Sequence, residues 1–195
     1  MTNNLKFVLS GDPTRKDAYI QNQTDAGWPV GTPEVYEHAI DYDNGFRGCR
    51  SGHTAIMDLA TERSADSVLI VEDDVIWRDS AKVKYEAALA YLADKEWDGL
   101  WLGGHSIQGA VQVTDQGLYK VGKILCCHAY ILNGSFIQKC ADSLRVSIRS
   151  VDNTLMQLVL ENDSQIYALM PSVAGQSEGW SPRTGKYRSE RWDSA

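Results

Sequence analysis

The 195-residue chain is 43% apolar and 23% charged, an ordinary globular composition with enough length for one sizeable core and too little for two. Its formal net charge of -7 argues against broad, charge-driven adhesion to nucleic acid or anionic membrane, though not against a local basic site. No stretch approaches the roughly 20 apolar residues that span a bilayer, and the first nine residues lack the pattern of a signal peptide. The four cysteines, Cys49, Cys126, Cys127 and Cys140, fit no paired zinc spacing, which predicts reduced, mostly buried thiols in a cytoplasmic protein.

In chain order, residues 5–9 predict a first buried strand, closed by a turn at 10–13 that contains Gly and Pro. A short helix is expected over 14–22, then an irregular loop over 24–44, rich in Gly, Pro, Asp and Asn, with a short strand or helix around 35–40. Residues 50–63 place Ala55, Ile56, Leu59 and Ala60 on one helical face, which should pack on a sheet. Residues 67–71 form a β-branched, apolar run that reads as a strand buried on both faces, with Glu72, Asp73 and Asp74 at its carboxyl end. Ala81, Tyr85, Ala88, Leu89 and Leu92 mark a second helix, and 98–102 a short strand ending in Gly103 and Gly104. Residues 110–114 and 118–123 alternate around 115–117 and predict an antiparallel hairpin. Residues 125–132 form a further apolar strand, followed by helices built on Phe136, Ile137, Cys140, Ala141 and Leu144, and on Leu155, Leu158 and Val159. A last strand is expected over 165–170. Residues 175–195 show no periodicity but carry Arg183, Lys186, Arg188 and Arg191. The alternation predicts a single α/β domain with a mixed, mostly parallel central sheet flanked by helices.

Three adjacent acids at a strand end repel one another and lose solvation unless a cation is present, and the carboxyl edge of an open α/β sheet is where ligands bind. Glu72 and Asp74, one residue apart, point to the same side of a continuing strand. Two carboxylates so aimed suit a hard cation such as Mg²⁺ or Mn²⁺, whose remaining coordination is filled by water and phosphates. Asp73 faces the other way, toward a sugar or a cationic side chain. The alternative is that all three acids simply solvate and cap the strand end.

The order GCRSGH (48–53), LIVEDDVIW, WDGLWLGG (97–104), HAYIL (128–132), VD (151–152) and YALMP (167–171) resembles glycosyltransferase family 25, over nearly the whole chain. That family includes bacterial lipopolysaccharide glycosyltransferases and collagen galactosyltransferase domains. The resemblance implies a GT-A, Rossmann-like domain over 1–195, with a nucleotide-sugar-binding half to about 104, an acceptor side over about 105–180 and a basic tail over 181–195. It implies metal-dependent, inverting transfer from a nucleotide-diphosphate sugar, UDP-linked by preference, to an acceptor hydroxyl. A saccharide is the family-typical acceptor; a modified DNA base or a protein hydroxyl are the others.

Carried over by position, Glu72 and Asp74 match the ends of a DxD-type metal motif holding Mn²⁺ or Mg²⁺, and Arg15, His53 and Gln176 are the implied donor contacts; Asp73 joins them only through the side of the strand that it faces. Gly52 stands where the family has Ser, and the Asn common in its first strand is absent; both departures fall near the donor. Asp152 matches the family's second-half acid and is the expected catalytic base, with helix capping as the alternative role. His53 as a core histidine, and His105 and His128 as pocket or structural residues, stay open. Arg183 or Lys186 reaching a diphosphate makes the basic tail a lid; otherwise it is a solvated end. Trp28, Trp101 and Trp180 are either sugar-stacking surfaces or core. Two rival classes remain: an inactive nucleotide-sugar-binding module, and a metal-dependent phosphohydrolase, which lacks a recognisable nucleophile motif.

Overall fold

The computed structural model describes residues 3–11, 17, 19, 21, 34–37, 45–181 and 186–191. The elements run β1 (Asn4–Ser10), β2 (Glu34–Glu37), α1 (Gly45–Glu62), β3 (Ser67–Glu72), β4 (Val75–Trp77), α2 (Ala81–Leu92), β5 (Gly99–Trp101), β6 (His105–Gln108) and β7 (Val111–Gln112). They continue with β8 (Leu118–Lys120), β9 (Lys123–Leu125), β10 (Ala129–Asn133), α3 (Phe136–Val146), α4 (Val151–Glu161), β11 (Ile166–Leu169), β12 (Ala174–Gln176), β13 (Gly179–Ser181) and β14 (Lys186–Arg188). The helix expected over 14–22 is described only at Asp17, Tyr19 and Gln21, each helical, and Tyr19 is buried.

An eight-stranded sheet in the order β2-β1-β3-β10-β5-β11-β8-β7 forms the middle layer. Six strands point one way, whereas β10 and β8 run against them. The mixed, mostly parallel α/β sheet expected from the sequence is therefore what forms. The two-residue period of a strand sorts its core. Val68 and Ile70 of β3 pack with Phe7, Trp101 and Tyr130 under Ile56, Met57 and Ala60 of α1 and the apolar sides of α3 and α4. Leu69 and Val71 face the other way, with Val8, Leu100 and Ile131, against Ala81, Tyr85, Ala88 and Leu92 of α2. Burial on both faces explains why β3 is an unbroken apolar run.

Two expectations shift. The strand read over 125–132 is broken: β9 ends at Leu125, Cys126 adopts a positive φ of 87°, and β10 starts at Ala129. An L-residue in that conformation cannot continue a strand. The segment from 175 onward, which shows no periodicity, nevertheless forms β12, paired with β4, and a short β13–β14 hairpin. Pairings of three residues are too short to display an alternating pattern. Among the described residues, no helix is long and apolar enough to cross a membrane.

Candidate active site at the carboxyl edge of the sheet

The chain leaves the sheet at Glu72, turns through Asp73 and Asp74, and enters β4, which pairs antiparallel with β12 so that Val75 lies opposite Gln176. Backbone bonds pin the turn on three sides. The Glu72 N–H donates to the His128 carbonyl at 2.8 Å, the Asp73 N–H to the Leu9 carbonyl at 3.1 Å, and the Ser177 N–H to the Asp74 carbonyl at 2.7 Å. Three backbone hydrogen bonds therefore fix the turn that carries the acids, which places their charge at a defined point.

Their side chains diverge as the alternation predicts. Asp73 accepts a hydrogen bond from Ser10 Oγ at 2.8 Å. Glu72 and Asp74 converge on the Gln176 amide, whose Nε2 lies 3.3 Å from Glu72 Oε2 and 3.3 Å from Asp74 Oδ1. Arg188 Nη2 donates to Asp74 Oδ2 at 2.6 Å, and Arg191 Nη2 reaches Gln176 Oε1 at 3.3 Å. Asp74 is 9% exposed and Glu72 26%. Burial, and next the Glu72 charge, push the Asp74 carboxyl above the usual range, with Arg188, His128 and Gln176 opposing them. The guanidinium thus offsets part of this upward push on Asp74.

On the α1 side, His53 is wholly buried and spans two groups: Nδ1 is 2.8 Å from Tyr130 Oη, and Nε2 is 3.4 Å from Glu72 Oε1. Cys49, one helical turn earlier, directs its thiol to the same Oε1 at 3.8 Å. On the far side, His128 Nδ1 is 2.8 Å from Cys126 Sγ and its Nε2 is 3.2 Å from the Ala174 carbonyl. A Cβ on Gly103 would collide with His128 Nε2 and lie 2.6 Å from the Ala174 oxygen, so glycine is required by space.

Asp152 lies in the first turn of α4, half-buried, while Ser150 holds the N-cap position. There its carboxylate favours the positive end of the helix dipole rather than capping it. Arg50 Nη1 of α1 donates to the Arg149 carbonyl at 3.1 Å and ties this helix start to the site's flank. The buried Cys127 thiol is raised well above its ordinary value by burial, then by Asp152, with Glu72 adding to it, so both acids act on one sulfur. Of the other expected residues, Arg15, Arg183 and Trp28 lie outside the described residues, as does the side chain of Trp180. Lys186 is exposed, and His105 Nδ1 is 3.0 Å from Ser106 Oγ. Trp101 is core: it is fully buried and stacks on Tyr130 at 5.5 Å. Sequence reasoning did not single out Arg188, Arg191 or Tyr130; only a basic tail signalled the first two.

No protein-family model matches the sequence, and no curated protein matches it. Solved structures do. The chain is similar to a glycosyltransferase involved in the glycosylation of the major capsid of PBCV-1, with a TM-score of 0.50 and 12% identity over 86% of this chain and 82% of that one. It also aligns with a mannose-1-phosphate geranyltransferase from Thermus thermophilus (TM-score 0.49, 9% identity, 86% and 74% of the two chains). A protein from STIV gives a TM-score of 0.49 and 12% identity over 100% and 97% of the two chains. The first likeness shows the fold alone, a mixed α/β sheet flanked by helices, and does not extend to a relation with family 25.

A divalent cation suits this donor set. Two carboxylates converge on one donor position, the Gln176 amide, and offer oxygen alone. Glu72 and Asp74 would hold such an ion through oxygen, the ligand type that Mg²⁺ and Mn²⁺ take.

Proposed function

We propose that the chain is a metal-dependent, inverting glycosyltransferase that moves a sugar from a nucleotide-diphosphate donor to an acceptor hydroxyl. The observation that carries this reading is the convergence of Glu72 and Asp74 on one point at the carboxyl edge of a glycosyltransferase-like sheet. In this reading residues 1–195 act as one domain, with Glu72 and Asp74 as metal ligands and Arg15, His53, Asp73 and Gln176 as donor contacts. The preferred donor is a UDP-sugar and the preferred acceptor a saccharide; the net charge of -7 disfavours DNA.

The chemistry needs few groups. The acceptor oxygen attacks the anomeric carbon, its proton passes to the Asp152 carboxylate, and the bond from that carbon to the diphosphate oxygen breaks with inversion. When bound, the cation supplies charge that offsets the negative charge growing on the departing diphosphate. Arg188 adds a donor: its buried Nε has no hydrogen-bond partner among the described residues and suits a phosphate oxygen. Asp73, positioned by its hydrogen bond from Ser10, is the donor contact that this reading assigns to a sugar hydroxyl.

The test is a thermal-shift screen of nucleotide sugars with and without Mn²⁺, followed by transfer assays on the donor that binds. Asp152→Asn should keep donor affinity within about twofold and lower transfer by at least about 100-fold, the scale of one general base. A wild-type rate in that variant moves the base elsewhere. Donor binding with no turnover by the wild type, across saccharide, protein and nucleic-acid acceptors, makes the chain a nucleotide-sugar-binding module instead.

A further inference from the structure

Glu72 is shared between two environments. Its Oε2 faces Gln176 and Asp74, whereas its Oε1 faces His53 Nε2 at 3.4 Å and the Cys49 thiol at 3.8 Å. Cys49 and His53 are four residues apart on α1, hence on one face of the helix, and the end of β3 brings Glu72 against that face. One donor atom from each of the three lies within 4.8 Å of the others. A tetrahedral zinc ion, with bonds of about 2.3 Å to sulfur and about 2.0–2.1 Å to nitrogen and oxygen, sets its donor atoms roughly 3.3–3.6 Å apart. The two separations to Glu72 Oε1 are already close to that range.

We infer that Cys49, His53 and Glu72 form a three-ligand site for a borderline-soft divalent cation, Zn²⁺ by donor chemistry, distinct from the oxygen-only pair of Glu72 and Asp74. Thiolate and imidazole select Zn²⁺ over Mg²⁺ or Mn²⁺. The support behind the ligands is built as well. Tyr130 Oη, 2.8 Å from His53 Nδ1 and fully buried, fixes the ring so that Nε2 addresses the ion; the Nδ1 proton is then donated to Tyr130. Binding releases the Cys49 thiol proton and leaves the fourth position for water. The inference does not depend on sugar transfer.

The experiment titrates the purified chain with Zn²⁺ alone by calorimetry, and with Co²⁺ alone by absorption. Expected are one equivalent of Zn²⁺ and, with Co²⁺, a near-ultraviolet thiolate charge-transfer band. Cys49→Ser should abolish that band and weaken Zn²⁺ binding at least tenfold. Tyr130→Phe should weaken it by about 10-fold or more, because the His53 ring loses the hydroxyl that orients it. Asp74→Asn should leave Zn²⁺ binding intact while removing Mn²⁺-dependent donor binding, so the two sites fail separately. No stoichiometric Zn²⁺ uptake, a Co²⁺ complex without a thiolate band, or Zn²⁺ binding lost in Asp74→Asn but kept in Cys49→Ser overturns the inference. The wild-type Co²⁺ spectrum decides the matter even if a variant misfolds.

Discussion

At the scale of single residues, the site is a set of polar side chains that hold one another through shared hydrogen bonds. Tyr130 illustrates this: its ring fills the core between Trp101 and His53, and its hydroxyl is 2.8 Å from His53 Nδ1. Tyr130→Phe keeps the packing and strands a buried imidazole nitrogen, so urea denaturation should show a loss of about 1–3 kcal/mol. A loss within error would mean that water replaces the hydroxyl. Asp74 supplies a pH signature. Its folded-state carboxyl is raised, chiefly by burial and then by Glu72. Between the ordinary carboxylate range and that raised value, the folded chain keeps a proton that the unfolded chain has released, so this group's contribution to stability falls as pH rises. Denaturation midpoints of wild type and Asp74→Asn, measured from acidic to neutral buffer, should show the wild type losing ground as pH rises. The opposite trend would mean that the Arg188 pairing outweighs burial. The spacing of Glu72, Asp73 and Asp74 showed which acids share a side. It did not show that Gln176 joins two of them, since that bond spans 104 and 102 positions.

At the scale of elements, legibility follows pattern length. The six residues of β3 and the eighteen of α1 carry enough periods to declare both their type and their buried side. The three-residue β12 declares neither, yet it closes the site by pairing with β4. The close approach of β12 at Ala174 leaves no room for a side chain at Gly103, between His128 and the Ala174 carbonyl. Gly103→Ala should displace the His128 ring or push β12 off β4, with a cost of about 1–3 kcal/mol. In crystals of the variant, the His128 Nε2 to Ala174 oxygen distance should exceed the present 3.2 Å. An unmoved ring with unchanged stability would refute the packing argument. The break at Cys126 was invisible in an apolar run, because a single left-handed residue leaves no trace in hydrophobic pattern.

Across the whole molecule, the first-described strand, the helix after it and the last-described segment meet over the same acids. The α/β class was readable from strand and helix alternation, whereas the use of 186–191 as counter-charge was not, because a basic, aperiodic stretch looks the same solvated or docked. Arg188→Ala leaves Asp74 buried with less compensation. Removing one partner of a fully buried ion pair costs about 3–5 kcal/mol, and the 30% exposure of Arg188 brings the expected loss down to about 1–3 kcal/mol. Thermal unfolding should register it, and Mn²⁺ should restore more stability to this variant than to the wild type. Equal Mn²⁺ effects on both would separate Arg188 from the cation site.

The Arg188–Asp74 bond joins groups 114 positions apart. A loop of that size closes late, because chain entropy must be lost before the contact repays it. A growing chain therefore holds Glu72 and Asp74 well before their guanidinium has been synthesised, and any fragment ending short of residue 188 has the two acids and Gln176 without that counter-charge.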